Sequence, residues 1–332
     1  MTPAEQDTGV TLAELLAAYS LATDLGLGQP MEHLLRAWRI ASLLGEHVDL
    51  TDEDRAALFY VAVLSWVGCV ADTPEVASWF GDDIAFRSAS FQVDFSGLPA
   101  LTFMLGHVGT GRPALHRFGQ ATTLVATRAK GIERGLLSHC VSTSVLADRL
   151  GLGPAVGTAV RQFFARWDGS GVPSGVAGEE ITLPARLVHL ADVVEVFSRT
   201  AGVEAAVAVA RARRGTKFDP GLVDVFCSVA PEVLGAVTDG PDVHEMISAD
   251  PLLQDRLTGR ELDAALEAVA DFTDLRSPGR AGHSRAVAAL AGQAAGATGL
   301  PPEAVDTVRR AGLVHDIGLH GSRPRSWRSR AG

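Results

Sequence analysis

Residues 163–193 read FFARWDGSGVPSGVAGEEITLPARLVHLADV. The centre of this stretch is a loop dense in Asp168, Gly169, Gly171, Pro173, Gly175 and Gly178. Asp tolerates tight turns, Gly supplies positive φ and Pro fixes φ, so these residues shape a turn, with a phosphate or protein-partner loop as the alternative. The loop separates helices expected over 157–167 and 182–199. Outward from it, helical periodicity dominates. Met31, Leu34, Leu35, Trp38 and Ala41 form one apolar stripe in a helix expected over 31–45. Thr51 caps an acid-rich start, Asp52-Glu53-Asp54, and Leu58, Phe59, Ala62, Val63 and Trp66 follow on one face. Further helices are expected near 118–150, 203–214, 220–238, 258–272, 283–297 and 302–314, whereas 72–115 reads as irregular. No long run alternates with period two, so the fold class is all-α.

Composition supports a globular chain. It has 332 residues, 47% hydrophobic and 20% charged, which is long enough for a core without disulfide or metal staples. The net charge of -10 argues against nucleic acid as a partner of the whole chain. Cys69, Cys140 and Cys227 are odd in number and far apart, as reduced cytoplasmic thiols would be. The N-terminus lacks a signal-peptide pattern, and no run of about 18 apolar residues lacks a charge or break, so no membrane span is expected.

The chain also echoes itself. His33 opens a helix that leads, after an acid-rich helix, to Ser65-Trp66-Val67-Gly68; His283 opens a helix that leads to His315-Asp316-Ile317-Gly318. Adjacent His and Asp at a helix end, with a second His one helix earlier, supply a nitrogen and a bridging carboxylate for divalent cations. The alternative is a capping Asp beside a half-exposed His.

The Trp167–Pro173 loop, the following GEEITLPAR, Asp192 in ADV, and Gly215-Thr216-Lys217-Phe218-Asp219-Pro220 together resemble the HD-GYP family, a branch of the HD superfamily of metal-dependent phosphohydrolases. The resemblance covers roughly 31–230. It implies an all-α domain that holds two or three divalent ions, iron or manganese, and hydrolyses cyclic di-GMP or a related cyclic dinucleotide. The family's opening His matches His33, its later metal His matches His139, and its final Asp matches Asp192. The eponymous His-Asp pair falls on Ser65 and Trp66. The paired His fall on Phe163 and Phe164, the following Glu on Ala165, and the Tyr of the GYP signature on Val172.

Aromatic rings cannot ligate such cations, and each buries apolar area worth about 1.5–3 kcal/mol. The first unit is therefore expected to be filled and dry, with Asp192 bonded to Arg186, Arg199 or His189. His139 beside Cys140 reads either as a soft-metal pair or as a buried polar remnant. The second unit keeps His283, His315 and Asp316. The expected organisation is an N-terminal helical segment (1–30), an HD-GYP-like domain (31–235) with its irregular insertion, a linker and partial second HD-like helical unit (236–318), and a basic, disordered tail (319–332). The shift to arginines in that tail reads as a frame change or truncation, with weak phosphate binding as the alternative. The functional expectation is a catalytically impaired regulatory or signalling module. The alternatives are an active phosphodiesterase using the second motif and a fragment of an HD-domain transcriptional regulator. An apolar helix pair in 258–318 is expected to pair with a second copy.

Overall fold

The computed structural model describes residues 9–127 and 130–322. Its elements in order are β1 (Val10–Thr11), α1 (Leu12–Leu27), α2 (His33–Gly45), α3 (Asp52–Leu64), α4 (Cys69–Phe80), α5 (Asp83–Ser90), α6 (Gly97–His107), α7 (Ala114–Ala126) and α8 (Lys130–Arg149). There follow α9 (Gly153–Arg161), α10 (Leu183–Ala201), α11 (Val203–Ala212), α12 (Pro220–Asp239), α13 (Val243–Ala249), β2 (Arg256–Leu257), α14 (Gly259–Asp274), α15 (His283–Ala297) and α16 (Pro302–Val314). The fold is all-α; the only sheet among the described residues is the two-residue antiparallel pair of β1 and β2.

Local signals set these boundaries. Thr11 and Glu14 form a capping box at α1, and Thr51 accepts from Asp54 N at α3. Leu35, Trp38 and Ala41 of α2 meet Leu58, Phe59 and Ala62 of α3 in the main core, into which α10 inserts Leu187, Val188, Leu190 and Ala191. Leu16, Ala17 and Tyr19 of α1 join the same core, as do Val243, Ile247 and Ala268 beyond residue 236. Two stretches, Asp52–Phe80 and Pro220–Asp239, reach the length and mean hydropathy of a membrane span. The first is 78% buried here, and the second packs against α2, α10 and α11.

Three expectations need correction. Region 72–115 is helical, not irregular. Its helices run only 8–12 residues, are separated at Gly81 and Gly97, where φ is positive, and build a satellite core from Phe80, Phe86, Met104 and Leu124. That packing replaces the long apolar stripe by which a sequence announces a helix. The helix expected over 118–150 is two helices, α7 and α8. Part of the tail expected from 319 is ordered: Ile317–Gly321 form a 3-10 turn, and buried His320 stands edge-on to Tyr19 at 5.2 Å. Residues 323–332 lie outside the described residues.

The internal echo is a structural repeat. His33 and His283 open α2 and α15, and Asp52 and Pro302 open α3 and α16; each pair stands 250 residues apart. Both His-bearing helices are entered through a left-handed residue, Glu32 at φ 72° and Gly282 at φ 76°. Asp24 Oδ1 accepts from Leu34 N (3.2 Å), and Asp274 Oδ2 accepts from Ser284 N (3.0 Å), again 250 residues on.

Candidate functional site

In the first unit α2 and α10 bring His33 and Asp192 together, fully buried. His33 Nε2–H donates to Asp192 Oδ1 (3.1 Å) and Nδ1–H donates to Glu195 Oε2 (2.6 Å). Burial alone would push this imidazole's pKa down, but the bonds to Asp192 and Glu195 outweigh it and hold the ring charged, with a pKa near 10. Burial also opposes ionisation of Glu195, yet the bond from His33, with help from Arg199 and Arg36, holds it at about 2. Trp66 Nε1–H donates to the same Asp192 Oδ1 (2.9 Å). A histidine donating from both nitrogens has no lone pair for a metal, and the carboxylate has two N–H donors where a cation would sit. The partners expected for Asp192 are therefore corrected. Arg186 pairs with Asp219 and Arg199 with Glu195, while His33 and Trp66 take Asp192.

His139 lies across Trp66, with ring centroids 6.2 Å apart, and does not join His33 and Asp192. Its Nε2–H donates to Ser65 O (2.8 Å), which leaves buried Nδ1 as an unpartnered acceptor. Burial lowers its pKa to about 4. Nδ1, the Cys69 thiol and an Asp72 carboxylate oxygen lie within 4.8 Å of one another, but Arg87 already neutralises Asp72 at 2.5 Å and also binds Asp83 and Cys69 O. Burial pushes the Cys69 thiol well up, away from the thiolate a metal needs. Cys140 makes no part of that cluster.

The expected aromatic filling is incomplete. Trp66 contacts Phe91, Phe163 and Phe164 with centroids 5.0–5.5 Å apart, yet a cavity of about 210 Å³ remains beside them. The two phenylalanines meet Trp66 edge-on, at 76–79°. Arg166 and Lys217 also line the cavity. Arg166 pairs with Asp94 (2.5 Å), and Lys217 is pushed down to about 7 by burial and by neighbouring Arg213. The glycine loop forms the rim. Asp168 Oδ1 accepts from Ser170 N and Oγ, and Asp168 N–H donates to Thr216 O (3.0 Å), which ties the loop to the Gly215–Pro220 turn. A Cβ on Gly171 would meet Phe164 O at 2.4 Å and Arg166 N at 2.5 Å. Gly169 has φ 77°, and Pro173 follows Val172 through a cis bond.

In the second unit His283, His315 and Asp316 do converge: their ligand atoms lie within 4.8 Å of one another. Asp316 Oδ2 is 3.2 Å from His315 Nε2 and 3.5 Å from His283 Nε2, and Arg280 pairs with the same oxygen. His315 Nδ1–H donates to Gly312 O (2.8 Å), which fixes the ring and turns Nε2 to the cluster, as a metal-ligating histidine requires. Two imidazoles and a carboxylate suit iron, manganese or zinc.

Comparison with known proteins relates the chain to HD-type phosphodiesterases. A family model described as "HD domain" matches residues 280–324. The 3'3'-cGAMP-specific phosphodiesterase 3 of Vibrio cholerae serotype O1 is 27% identical over 315 residues, spanning 93% of this chain and 68% of the relative. The chain is thus similar to HD-type proteins, with the HD domain itself matched over residues 280–324. A second HD-type relative, the cyclic di-GMP phosphodiesterase response regulator RpfG of Xanthomonas campestris pv. campestris, is 43% identical over 67 residues, 18% of each chain. The crystal structure of a cyclic GMP-AMP-specific phosphodiesterase of Vibrio cholerae superposes with TM-score 0.72 at 24% identity, over 93% of this chain and 71% of that one, and so supports the shared fold.

Sequence reading missed Glu195, Arg36, Arg87, Asp72 and Lys217. Glu195 carried a usable signal, since it stands three residues after Asp192 and so on the same face of α10. Arg87 carried only its i−4 acid, Asp83, since Asp72 and Cys69 O reach it through the packing of α4 on α5.

Proposed function

We propose that this HD-type chain couples a non-catalytic regulatory unit, residues 31–235, to the metal-holding start of a cyclic-dinucleotide phosphodiesterase site in its second unit. The observation that carries the reading is Asp192, whose Oδ1 accepts from both His33 Nε2 and Trp66 Nε1 where the family's cations would bind. His283, His315 and Asp316 fit a divalent cation, iron or manganese. Such an ion, when bound, lowers the pKa of a water and neutralises a phosphoryl oxygen. The substrate class follows from the relatives' names, which specify 3'3'-cGAMP and cyclic di-GMP.

Elemental analysis with turnover assays on cyclic di-GMP and 3'3'-cGAMP tests the division of labour. Bound metal and any turnover are expected to vanish together in His315→Ala. A His315→Ala protein that still hydrolyses either nucleotide would place the chemistry in the first unit and end the proposal. Self-association through 258–318 belongs to the same reading, because Leu290 on α15 is 66% exposed. Sedimentation is expected to show a dimer that Leu290→Lys converts to monomer; a wild-type monomer would refute it.

A further inference from the structure

We propose that the cavity of the first unit is a binding site for a small aromatic anion, one ring carrying one carboxylate or phosphate group. The inference rests on the reading that this unit no longer performs hydrolysis, and names what it senses instead. Size is the first argument. About 210 Å³ falls below the roughly 300 Å³ at which drug-sized pockets begin, so a cyclic dinucleotide with its two bases is too large and a single ring is not.

The second argument is the chemistry of the walls. Trp66, Phe163 and Phe164 stand where metal donors would be and offer ring faces and edges to an aromatic guest. Arg166 and Lys217 line the same cavity; Arg166 shares its charge with Asp94 and Asp168, and an anion beside Lys217 would favour its protonated form. Arg166 is 5% exposed, and its Nε, 3.6 Å from Asp168, makes no hydrogen bond. No ion pair engages Lys217 among the described residues, and its amine leans over the Phe218 ring at 5.6 Å. On the Trp66 side, His139 Nδ1 is a buried acceptor without a donor. A buried polar atom without a partner costs free energy that a guest supplying the partner recovers.

The acids nearby are already engaged. Asp192 is held by His33 and Trp66, and Asp72 by Arg87, so neither opposes an anion directly. Glu75, beside Gly131 and Gly135, also lines the cavity and repels an anionic group, which favours an orientation that turns that group toward Lys217. The preferred guest therefore carries its acid on one edge of the ring and a hydrogen-bond donor on another.

Isothermal titration of the full chain with 4-hydroxybenzoate, phenol, acetate and cyclic di-GMP tests this. 4-Hydroxybenzoate is expected to bind with Kd below about 1 mM, and the other three at least tenfold more weakly. Lys217→Met, with its fold checked by circular dichroism, is expected to lose at least tenfold in affinity. Should that variant not fold, the comparison of 4-hydroxybenzoate with phenol on the wild type carries the test alone. No binding of 4-hydroxybenzoate, equal binding of phenol or acetate, or an unchanged affinity in folded Lys217→Met would overturn the site. Failure here is separable from failure of the non-catalytic reading: the latter is decided by nucleotide turnover in His315→Ala, which the titration does not measure.

Discussion

At His33 two carboxylates hold the ring from both sides, and the Trp66 indole completes one of them, Asp192. The charged ring bridges Asp192 and Glu195, and Arg36 (2.9 Å) and Arg199 (3.0 Å) complete Glu195 from the side. The consequence is a stability that depends on pH in a defined direction. His33 titrates near 10 in the fold and near 6.5 when unfolded, so its contribution is whole below about 6.5 and is lost as pH rises toward 10. Glu195 titrates near 2 in the fold against 4.5 unfolded, so its contribution is lost as pH falls from 4.5 toward 2. The difference in unfolding free energy between wild type and His33→Gln is therefore expected to be largest between about pH 4.5 and 6.5 and to shrink on the alkaline side. Urea titrations across pH 5–10 measure it, and a difference that grew with pH would contradict the charged pair. That Ser65, Trp66, Phe163 and Phe164 stand where the HD-GYP resemblance implies metal donors is legible from the sequence. What replaced them is not, since His33 and Glu195 lie 162 residues apart and meet only in the folded core.

At the level of elements, the sequence revealed helices that own a long stripe or a strong cap, such as α2, α3 and α15, and hid those that pack on each other. Region 72–115 belongs to the hidden kind: α4, α5 and α6 bury Phe80, Phe86 and Met104 mutually rather than against the main core. The glycine loop was readable as a turn, but the reason for one of its glycines was not. Gly171 is required because Phe164 O and Arg166 N crowd its Cα, whereas Gly175, at φ 88°, has open space around it. Gly175→Ala is expected to cost about 1–2 kcal/mol from backbone strain, while Gly171→Ala displaces main chain and is expected to cost more, with the larger fall in Tm. Equal melting temperatures would show that the loop yields at Gly171. Capping behaves similarly. Asp274 holds both the backbone and the hydroxyl of Ser284 at the start of α15 (3.0 and 2.8 Å). Asp274→Ala is expected to lose about 1–2 kcal/mol and to raise amide exchange in α15 first, leaving α2 protected behind its own Asp24. Uniform loss of protection in both helices would mean that the repeats do not open separately.

On the scale of the molecule, one architecture occurs twice, with opposite balances. The first copy buries its histidine and completes it with α10; the second exposes 42% of the His283 side chain, and no described residue stands to it as Glu195 stands to His33. Were His283, His315 and Asp316 to hold a cation, Arg280 would compete with it for Asp316 Oδ2. Such binding is expected to be weak, and weak binding to the native state has a measurable signature, because any ligand that prefers the folded chain raises its stability by RT ln(1 + [L]/Kd). At ten times Kd the gain is roughly 1.4 kcal/mol. Manganese is expected to raise Tm of the wild type in a concentration-dependent way, His315→Ala to abolish the shift, and His139→Gln in the first unit to leave it intact. Arg280→Ala should bring the shift to lower manganese concentrations, since it frees the carboxylate. A shift that survives His315→Ala but disappears in His139→Gln would move the cation to the first copy, into the Cys69–Asp72–His139 cluster that Arg87 now fills.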